Sequence, residues 1–320
     1  MQVELQQLRQ VIALAEHGSF VRAAAALHLS QPALSRSIAG LEQRFGSPLF
    51  ERRKSGIEPT DLGRLFVERA RDVLRLADQL EREAVGEGQV RSGRLAVGGG
   101  PFPSDAVLAP AAARFVEQFP GVHLKVISHN WDELTRLLRA RELDFYIAET
   151  STLQREPDLV VEPMPVPHAV YLFARAGHPL ASSRPTSVAK VLQWPFASPA
   201  RVPPRLLDPL LGTQRATFAQ GRTPLPFPSI ECNAIAPVKR MVAGSDMVAG
   251  SILASIGREL DSGEFVLLAH EPWLTLQYGI VRLMRRPLTQ IASRFLEFVH
   301  EAERQVVAES GRLAREHAPG

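Results

Sequence analysis

Residues 19–49 read SFVRAAAALHLSQPALSRSIAGLEQRFGSPL, an alanine-rich helical segment that stops and restarts within a few residues. Ser19 is a good N-cap for a first short helix over residues 20–27, and a tight turn follows it. Ser30 is a good N-cap for a second helix. Pro32 lies in the first turn of that helix, where the missing proline N–H costs no hydrogen bond. The pattern predicts two helices joined by a short turn.

The second of these helices has an apolar side and a polar side. Its apolar residues repeat at intervals of four, three and four positions: Leu34, Ile38, Leu41 and Phe45. Its polar side chains, Gln31, Ser35 and Arg36, stand near the helix start. In a helix-turn-helix the second helix lies in the major groove and presents its N-terminal residues to base edges. Glutamine pairs with adenine, arginine with guanine, and serine with a base or a phosphate. The segment therefore predicts a helix-turn-helix that reads double-stranded DNA.

A basic hairpin and a long helix are predicted directly after this unit. Residues 50–52 and 57–59 have strand character and flank a compact basic tip. A long helical pattern then runs from residue 60 to about residue 87, and glycines near residue 90 indicate a hinge. Its apolar seam needs a partner helix, which predicts dimerisation. The basic side chains at the tip are expected to contact phosphates or enter a minor groove: Arg52, Arg53 and Lys54.

From Arg94 onward, short apolar strands alternate with helices. RLAVGGG, VHLKVIS and LDFYIAE are predicted strands, separated by helices over residues 104–119 and 131–142. This alternation predicts a parallel sheet with crossover helices. Later segments indicate helices over residues 188–192, 209–219, 234–243 and 291–308, and strands at AVYLFAR, SIECN, FVLLAH and LQYGIVRLM.

Residues 5–63 closely resemble the N-terminal domain of LysR-type transcriptional regulators. The resemblance rests on SQPALSR at the start of the second helix, on the pattern L-E-x-x-x-G-x-P-L-F-E-R, and on T-x-x-G at the start of the long helix. GRLAVGG, LDFYIA, RAGHPLA and RRPLTQIASRFLEFV resemble later landmarks of the family in the same order. The resemblance implies an N-terminal all-α winged helix-turn-helix with a long linker helix. A C-terminal, two-lobed α/β effector domain resembling periplasmic binding proteins is expected to follow.

The same resemblance implies a domain organisation and a set of DNA contacts. We expect a DNA-binding domain over residues 1–59, a linker helix and hinge over 60–92, and an effector domain over 93–320. Its first lobe would comprise residues 93–162 and 268–320, and its second lobe residues 163–267. The family's DNA contacts fall here on Gln31, Pro32, Ser35, Arg36 and Arg53.

The expected effector site lies between the lobes, at strand ends and helix starts. Gly100 and Phe102 occupy positions where the family often has hydroxyl residues, and Gly99 allows a backbone to approach a ligand closely. Ser104 is either an N-cap or a ligand donor. The remaining candidates follow other strands of the two lobes: His129, Asn130, Trp131, Glu149, Ser198, Arg201 and Asn233.

Two of these candidates favour opposite kinds of effector. Glu149 is either a solvated strand-end carboxylate or a crevice group that repels an acid. Arg201 would instead pair with an anionic effector. We expect an effector that is not a simple small carboxylate.

Composition and motifs exclude several function classes. The formal charge is only +3, which permits a nucleic-acid partner without requiring one. Cys232 is the single cysteine, so a disulfide framework and a Cys-rich metal site are excluded, and no cofactor or metal is expected. The N-terminus lacks the apolar run of a signal peptide, and no apolar segment approaches the ~18 residues of a membrane span. A cytoplasmic location is therefore expected.

Enzymatic function is not expected, because GGGPFPSD lacks the spacing of a nucleotide-binding loop and no nucleophile elbow or metal motif is present. The expected function is sequence-specific DNA binding controlled by a small-molecule effector, in a homodimer or homotetramer. The alternative is a small-molecule sensor that acts through protein contacts.

Overall fold

The structure is a computed structural model and describes residues 3–53, 56–84, 92–153, 156–218 and 225–317. The chain forms two compact units, Met1–Gln89 and Val90–Gly320. In the described residues the first unit is mainly helical, and the second contains two mixed β-sheets.

The first unit has the predicted helix-turn-helix, hairpin and long helix. In chain order its elements are α1 (Leu5–His17), α2 (Phe20–Ala26), α3 (Gln31–Phe45), β1 (Phe50–Arg53), β2 (Gly56–Pro59) and α4 (Asp61–Ala84). The long helix was predicted to reach about residue 87 and to lead into a glycine hinge. Residues 85–91 lie outside the described part of the structure.

The apolar side of α3 forms the core of the first unit. Leu34, Ile38 and Leu41 are fully buried and pack in one cluster with Val11 and Leu14 of α1. Burying a leucine or isoleucine side chain contributes about 1.5–3 kcal/mol. This packing determines which side of α3 faces inward and leaves the opposite side exposed.

Close backbone contacts attach the β1–β2 hairpin to the helices. The Ile57 N–H donates to the Gly18 carbonyl (3.0 Å), and the Glu42 carboxylate accepts from the Leu49 N–H (2.8 Å). A Cβ at Gly63 of α4 would lie 1.9 Å from the Leu49 carbonyl oxygen, so only glycine fits there. The hairpin is therefore held beside the helix-turn-helix as a wing.

The second unit follows an α/β order. Its elements are β3 (Gly93–Gly99), α5 (Pro101–Pro103), a π-helical turn (Ser104–Leu108), α6 (Ala109–Gln118), β4 (Val122–Ser128), α7 (Trp131–Arg139), β5 (Phe145–Glu149), β6 (Leu159–Pro163), β7 (His168–Arg175), a 3-10 turn (Pro179–Ser183), α8 (Val188–Val191), β8 (Phe196–Ser198), α9 (Pro204–Phe218), β9 (Ile230–Glu231), α10 (Ile235–Ala243), β10 (Val248–Ile252), a second 3-10 turn (Leu253–Ser255), α11 (Gly257–Asp261), β11 (Phe265–Leu276), β12 (Tyr278–Leu283) and α12 (Gln290–His317).

Two five-stranded sheets divide this unit into two lobes. The first lobe contains the sheet β4-β3-β5-β12-β6, and the second lobe contains β11-β7-β10-β8-β9. The chain passes from the first sheet to the second between β6 and β7, and it returns between β11 and β12. Because β11 belongs to the second sheet as far as Leu276, the boundary proposed near residue 268 falls inside that strand.

The sheets are mixed, whereas the sequence predicted a parallel sheet. β3 pairs in parallel with β4 and β5, but β12 pairs antiparallel with β5 and β6. In the second lobe, β7 is antiparallel to both β10 and β11. Strand β12, which comes late in the chain, therefore runs antiparallel to the strands β5 and β6 beside it. Hydrophobic periodicity within a segment does not indicate strand direction, so the sequence did not predict this arrangement.

Several element boundaries also differ from prediction. The helix predicted to start at residue 104 begins at Pro101, and the helix predicted from residue 209 begins at Pro204 and contains Pro209. Strands β6, β8 and β10 were not predicted. Among the described residues, no helix combines the length and the apolar character that crossing a bilayer requires.

Candidate functional site

A side-chain cap organises the N-terminal turn of α3. The Ser30 hydroxyl oxygen accepts a hydrogen bond from the Ala33 N–H (3.3 Å), so the predicted N-cap is confirmed. The outward residues beside this cap are here named the recognition face: Gln31, Pro32, Ser35 and Arg36.

The recognition face is open to solvent. Gln31, Pro32 and Arg36 are exposed, and Ser35 is half-buried. Pro32 and Arg36 project from the side of α3 opposite the buried Leu34, and Gln31 is exposed at the first position of the helix. The backbone N–H groups of the same turn offer partial positive charge to a phosphate. The arrangement matches what a helix needs in order to enter a major groove.

Of the three basic wing residues, the structure describes the side chain of Arg52 alone. Arg52 is exposed on β1, close to the hairpin tip. Arg53 is the last residue of β1, but its side chain is not among the described ones, and Lys54 lies outside the described residues.

The linker helix α4 exposes an apolar stripe. It packs against α1 through the buried Val67 and Ala70. Elsewhere on α4, large apolar side chains remain exposed by 39–53%: Leu62, Leu65, Val73 and Leu76. Helical residues three or four apart lie on one face. In the described residues of one chain, this stripe has no covering partner.

A cavity of about 730 Å³, part of it open to solvent, lies between the two sheets of the second unit. The first lobe contributes the ends of β3 and β5 and the start of α7, and the second lobe contributes sheet residues and α9. Seven of the predicted effector residues line it: Gly100, Phe102, Asn130, Trp131, Glu149, Ser198 and Arg201. The other four lie outside the residues that line it: Gly99, Ser104, His129 and Asn233.

Glu149 is a buried and well-partnered carboxylate. Its side chain is only 6% exposed, and it lines the cavity. It accepts hydrogen bonds from the Arg205 guanidinium (3.2 and 3.3 Å), from the Gln277 N–H (2.7 Å) and from the Ser151 N–H (3.1 Å). The interpretation of Glu149 as a solvated strand-end group was therefore wrong. Arg205 belongs to α9, so this ion pair also joins the two lobes.

Arg201 has a partner inside the protein. Its guanidinium donates to the Asp132 carboxylate across the lobes, and its backbone N–H donates to the Asn130 side-chain oxygen (3.0 Å). The Asn130 amide N–H donates to the Asn233 side-chain oxygen (2.6 Å), again across the lobes. Asn233 therefore joins the two lobes through the lining residue Asn130 and is not itself among the residues that line the cavity.

The predicted N-cap role of Ser104 is wrong. Ser104 has helical backbone angles, and its N–H donates to the Gly100 carbonyl (2.8 Å), because the helix already begins at Pro101. A Cβ at Gly99 would lie 2.5 Å from the Ser104 hydroxyl oxygen. Gly99 therefore permits the close packing of this helix on β3. The ring Nδ1 of His129 accepts from the following N–H (3.0 Å).

Much of the lining was missed by sequence reasoning. The second lobe contributes a group of apolar side chains: Val170, Leu172, Phe196, Leu206, Leu210, Phe227, Leu274 and Leu276. Tyr278, at the start of β12, also lines the cavity, and its hydroxyl is buried with no hydrogen-bond partner among the described residues. Most of these apolar side chains lie in strands or in α9, where the local sequence does not separate cavity lining from core.

A buried ionisable pair lies next to Tyr278. His168 of β7 and Glu303 of α12 are 5% and 2% exposed, and the His168 ring Nε2 lies 2.8 Å from a Glu303 oxygen. The rings of His168 and Tyr278 pack with centroids 4.8 Å apart. Burial, followed by the Glu149 and Glu303 carboxylates, raises the pKa of Tyr278 well above its ordinary value.

A helix-turn-helix with an open polar face, joined in one chain to a two-lobed α/β unit with a cavity, defines a DNA-binding regulator with a ligand-binding domain. Two family descriptions match the chain: "Bacterial regulatory helix-turn-helix protein, lysR family" over residues 5–64, and "LysR substrate binding domain" over residues 88–304. The chain belongs to the LysR family of transcription regulators.

Individual relatives agree with this assignment. The chain is 35% identical over 295 residues to the "SDS degradation transcriptional activation protein" of a Pseudomonas species, covering 90% of this chain and 93% of the relative. It is 30% identical over 267 residues to the HTH-type transcriptional regulator CfxR of Cupriavidus necator, covering 82% and 80% of the two chains.

Solved structures share the fold. A full-length, singly substituted OxyR from Pseudomonas aeruginosa has a TM-score of 0.65 at 22% identity and covers 95% of each chain. Full-length CbnR complexed with its target DNA has a TM-score of 0.60 at 21% identity, and covers 94% of this chain and 100% of that chain.

Proposed function

We propose that α3 reads base edges through the recognition face, with Gln31 and Arg36 as base contacts and Ser35 as a base or phosphate contact. Pro32 contributes apolar contact in the same turn. The observation that carries this proposal is the exposure of Gln31, Pro32 and Arg36 on a helix whose apolar residues Leu34, Ile38 and Leu41 are fully buried. Arg52, Arg53 and Lys54 of the wing add phosphate contacts, which set affinity without reading sequence.

The exposed stripe on α4 supports a homodimer, and two such dimers would form a homotetramer. Exposed apolar side chains along one helix face are stabilised when a second helix covers them. A twofold dimer presents two recognition faces to two half-sites about one helical turn apart, or a multiple of that distance.

The cavity between the lobes is the proposed effector site. Gly100, Phe102, Asn130, Trp131, Glu149, Ser198 and Arg201 belong to its lining. A concave site with a mainly apolar lining and a few polar groups is typical of small-molecule binding. A ligand that binds one arrangement of the lobes more tightly shifts the population toward that arrangement. In an oligomer this shift alters how the recognition faces are presented to DNA.

The lining favours an effector with a large apolar part. One relative is the "SDS degradation transcriptional activation protein", and SDS is an amphiphile with a long apolar chain, which agrees with the apolar side chains that surround the cavity here.

Selection from random DNA with the full-length protein tests the DNA-reading proposal. We expect enrichment of a sequence with two related half-sites, and loss of the preference at one base position per half-site in Arg36→Ala. Arg304→Ala is the matched control, because it removes one exposed arginine from α12 of the other unit. Enrichment of no sequence, or an identical preference in Arg36→Ala, would contradict the proposal.

A further inference from the structure

The charged side chains around the cavity are all paired within the protein. Glu149 is held by Arg205, and Arg201 is held by Asp132. An ionised ligand would therefore enter without a free counter-charge among the described lining residues. Burying an uncompensated ion costs several kcal/mol, so the cavity as built disfavours an anion.

Two of the other polar side chains of the lining, Ser198 and Asn130, are also engaged within the protein. The Ser198 hydroxyl donates to the Ala200 carbonyl (2.5 Å), and both ends of the Asn130 amide have partners. Of the described lining side chains, Tyr278 alone has a fully buried polar atom with no hydrogen-bond partner. Its side chain is 2% exposed. Buried hydroxyls normally have a partner, so this one is available to a ligand.

The surroundings of Tyr278 restrict which group can bind its hydroxyl. Burial, and after it the negative charge of the Glu149 and Glu303 carboxylates, raises the pKa of Tyr278 well above its ordinary value, so the phenol stays protonated. The same negative charge repels an anionic ligand group near the phenol. An alcohol suits this place, because its hydroxyl is uncharged and can either donate or accept a hydrogen bond.

The remaining lining receives the apolar part of such a molecule. Phe196, Leu206 and Leu210 come from β8 and α9, and together with the neighbouring strand residues they form an apolar wall in the second lobe. Each CH₂ group moved from water into such surroundings contributes about 0.8 kcal/mol.

We infer that the effector is an uncharged, mainly apolar alcohol, and that the Tyr278 hydroxyl is the specificity-determining group that binds its oxygen. This inference rests on the proposed effector site and goes further, because it names the ligand class and the residue that selects it.

Two matched pairs of probes test it on the full-length protein: 1-octanol against octanoate, and 2-phenylethanol against phenylacetate, at pH 7.5. Trp131 lines the cavity, so tryptophan fluorescence reports binding. We expect at least one alcohol to bind tenfold or more tightly than its acid. In Tyr278→Phe the affinity for that alcohol falls about threefold to tenfold, as loss of one hydrogen bond predicts, while the affinity for the acid is unchanged.

A second variant tests whether the negative charge of Glu149 disfavours an anionic ligand. Glu149→Gln removes a negative charge and leaves the Arg205 guanidinium without its carboxylate partner. We expect octanoate affinity to rise at least fivefold in this variant, with little change for octanol. Equal or tighter binding of the acids to the wild type, or no binding of either alcohol at millimolar concentration, would overturn the inference. An unchanged alcohol affinity in Tyr278→Phe would also overturn it.

DNA binding by the same samples separates this inference from the proposed function. Alcohol binding that leaves DNA binding unchanged would contradict effector control while supporting the inferred ligand class. Intact sequence-specific DNA binding without alcohol binding would leave the DNA-reading proposal standing and overturn the inference alone.

Discussion

The recognition face and the cavity differ in how their polar groups are used. On α3, Gln31 and Arg36 project into solvent from a helix whose stability comes from its buried side. In the cavity, Glu149 and Arg201 are held by partners from the opposite lobe. The comparison teaches that Gln31 and Arg36 are available to a partner, whereas the buried Glu149 maintains the fold. Substitutions on α3 should therefore affect DNA binding alone, and loss of the Glu149 carboxylate should also affect stability.

The largest expected effect is on stability. Glu149→Ala leaves two backbone N–H groups without their acceptor and Arg205 without its carboxylate partner, which costs about 3 kcal/mol. For a unit of this size the loss lowers the melting temperature by roughly 6–12 °C, measurable by thermal denaturation. The matched control is Glu162→Ala, whose half-exposed carboxylate pairs with Arg282 on the surface. Equal melting temperatures for the two variants would contradict the structural role given to Glu149.

A smaller effect is expected at the wing, and it concerns DNA binding alone. Arg52→Ala removes one phosphate contact, so the slope of log affinity against log salt should fall by about 0.9, with about a tenfold weakening at 0.1 M salt. The weakening should be equal for all DNA sequences, and Arg304→Ala should show none of it in fluorescence anisotropy titrations. A loss confined to one sequence would make Arg52 a base contact instead.

The pair at the cavity mouth is expected to contribute little. Asp132 and Arg201 have side chains 57% and 56% exposed, and such surface pairs contribute about 0–1 kcal/mol. Asp132→Ala should shift the urea midpoint only slightly. It should also permit modest octanoate binding, because Arg201 loses its partner. A destabilisation as large as that of Glu149→Ala would mean that the two cross-lobe pairs are equivalent.

No effect is expected from moderate alkali. Burial and nearby carboxylates hold the pKa of Tyr278 well above 10.0, so its neutral form persists as the pH rises. Affinity for an alcohol should therefore be constant between pH 7 and pH 9. If fluorescence shows that binding is lost with a midpoint inside that interval, the phenol ionises there. That result would contradict the proposal that the neutral Tyr278 hydroxyl binds the alcohol.

Local signals predicted the first unit well. Helix α3 is specified by the Ser30 cap, by Pro32 in the first turn and by its apolar repeat. Each of these signals involves residues close together in the chain, so the helix could be predicted from the sequence. The second unit was predicted less completely, because the direction of β12 and the pairing of β8 and β10 depend on residues far apart in the chain.

The cavity shows the same limit. Asn130 and Trp131 follow β4, and Glu149 ends β5. Their positions at strand ends, together with the family resemblance for Asn130 and Trp131, predicted them, and they line the cavity. The pairing of Glu149 with Arg205 joins residues 56 positions apart, and the unpartnered state of the Tyr278 hydroxyl depends on packing from both lobes. Tertiary structure, and no local pattern, decides which polar groups remain available.

The most direct test of the central claim is a double-mutant cycle between Arg36→Ala and single base-pair substitutions in the selected DNA site, measured by anisotropy. If Arg36 reads a base edge, one position per half-site shows a coupling of about 1–3 kcal/mol and all others show none, while the melting temperature of Arg36→Ala equals that of the wild type. Absence of coupling at every position would contradict the claim that the outward side of α3 reads DNA.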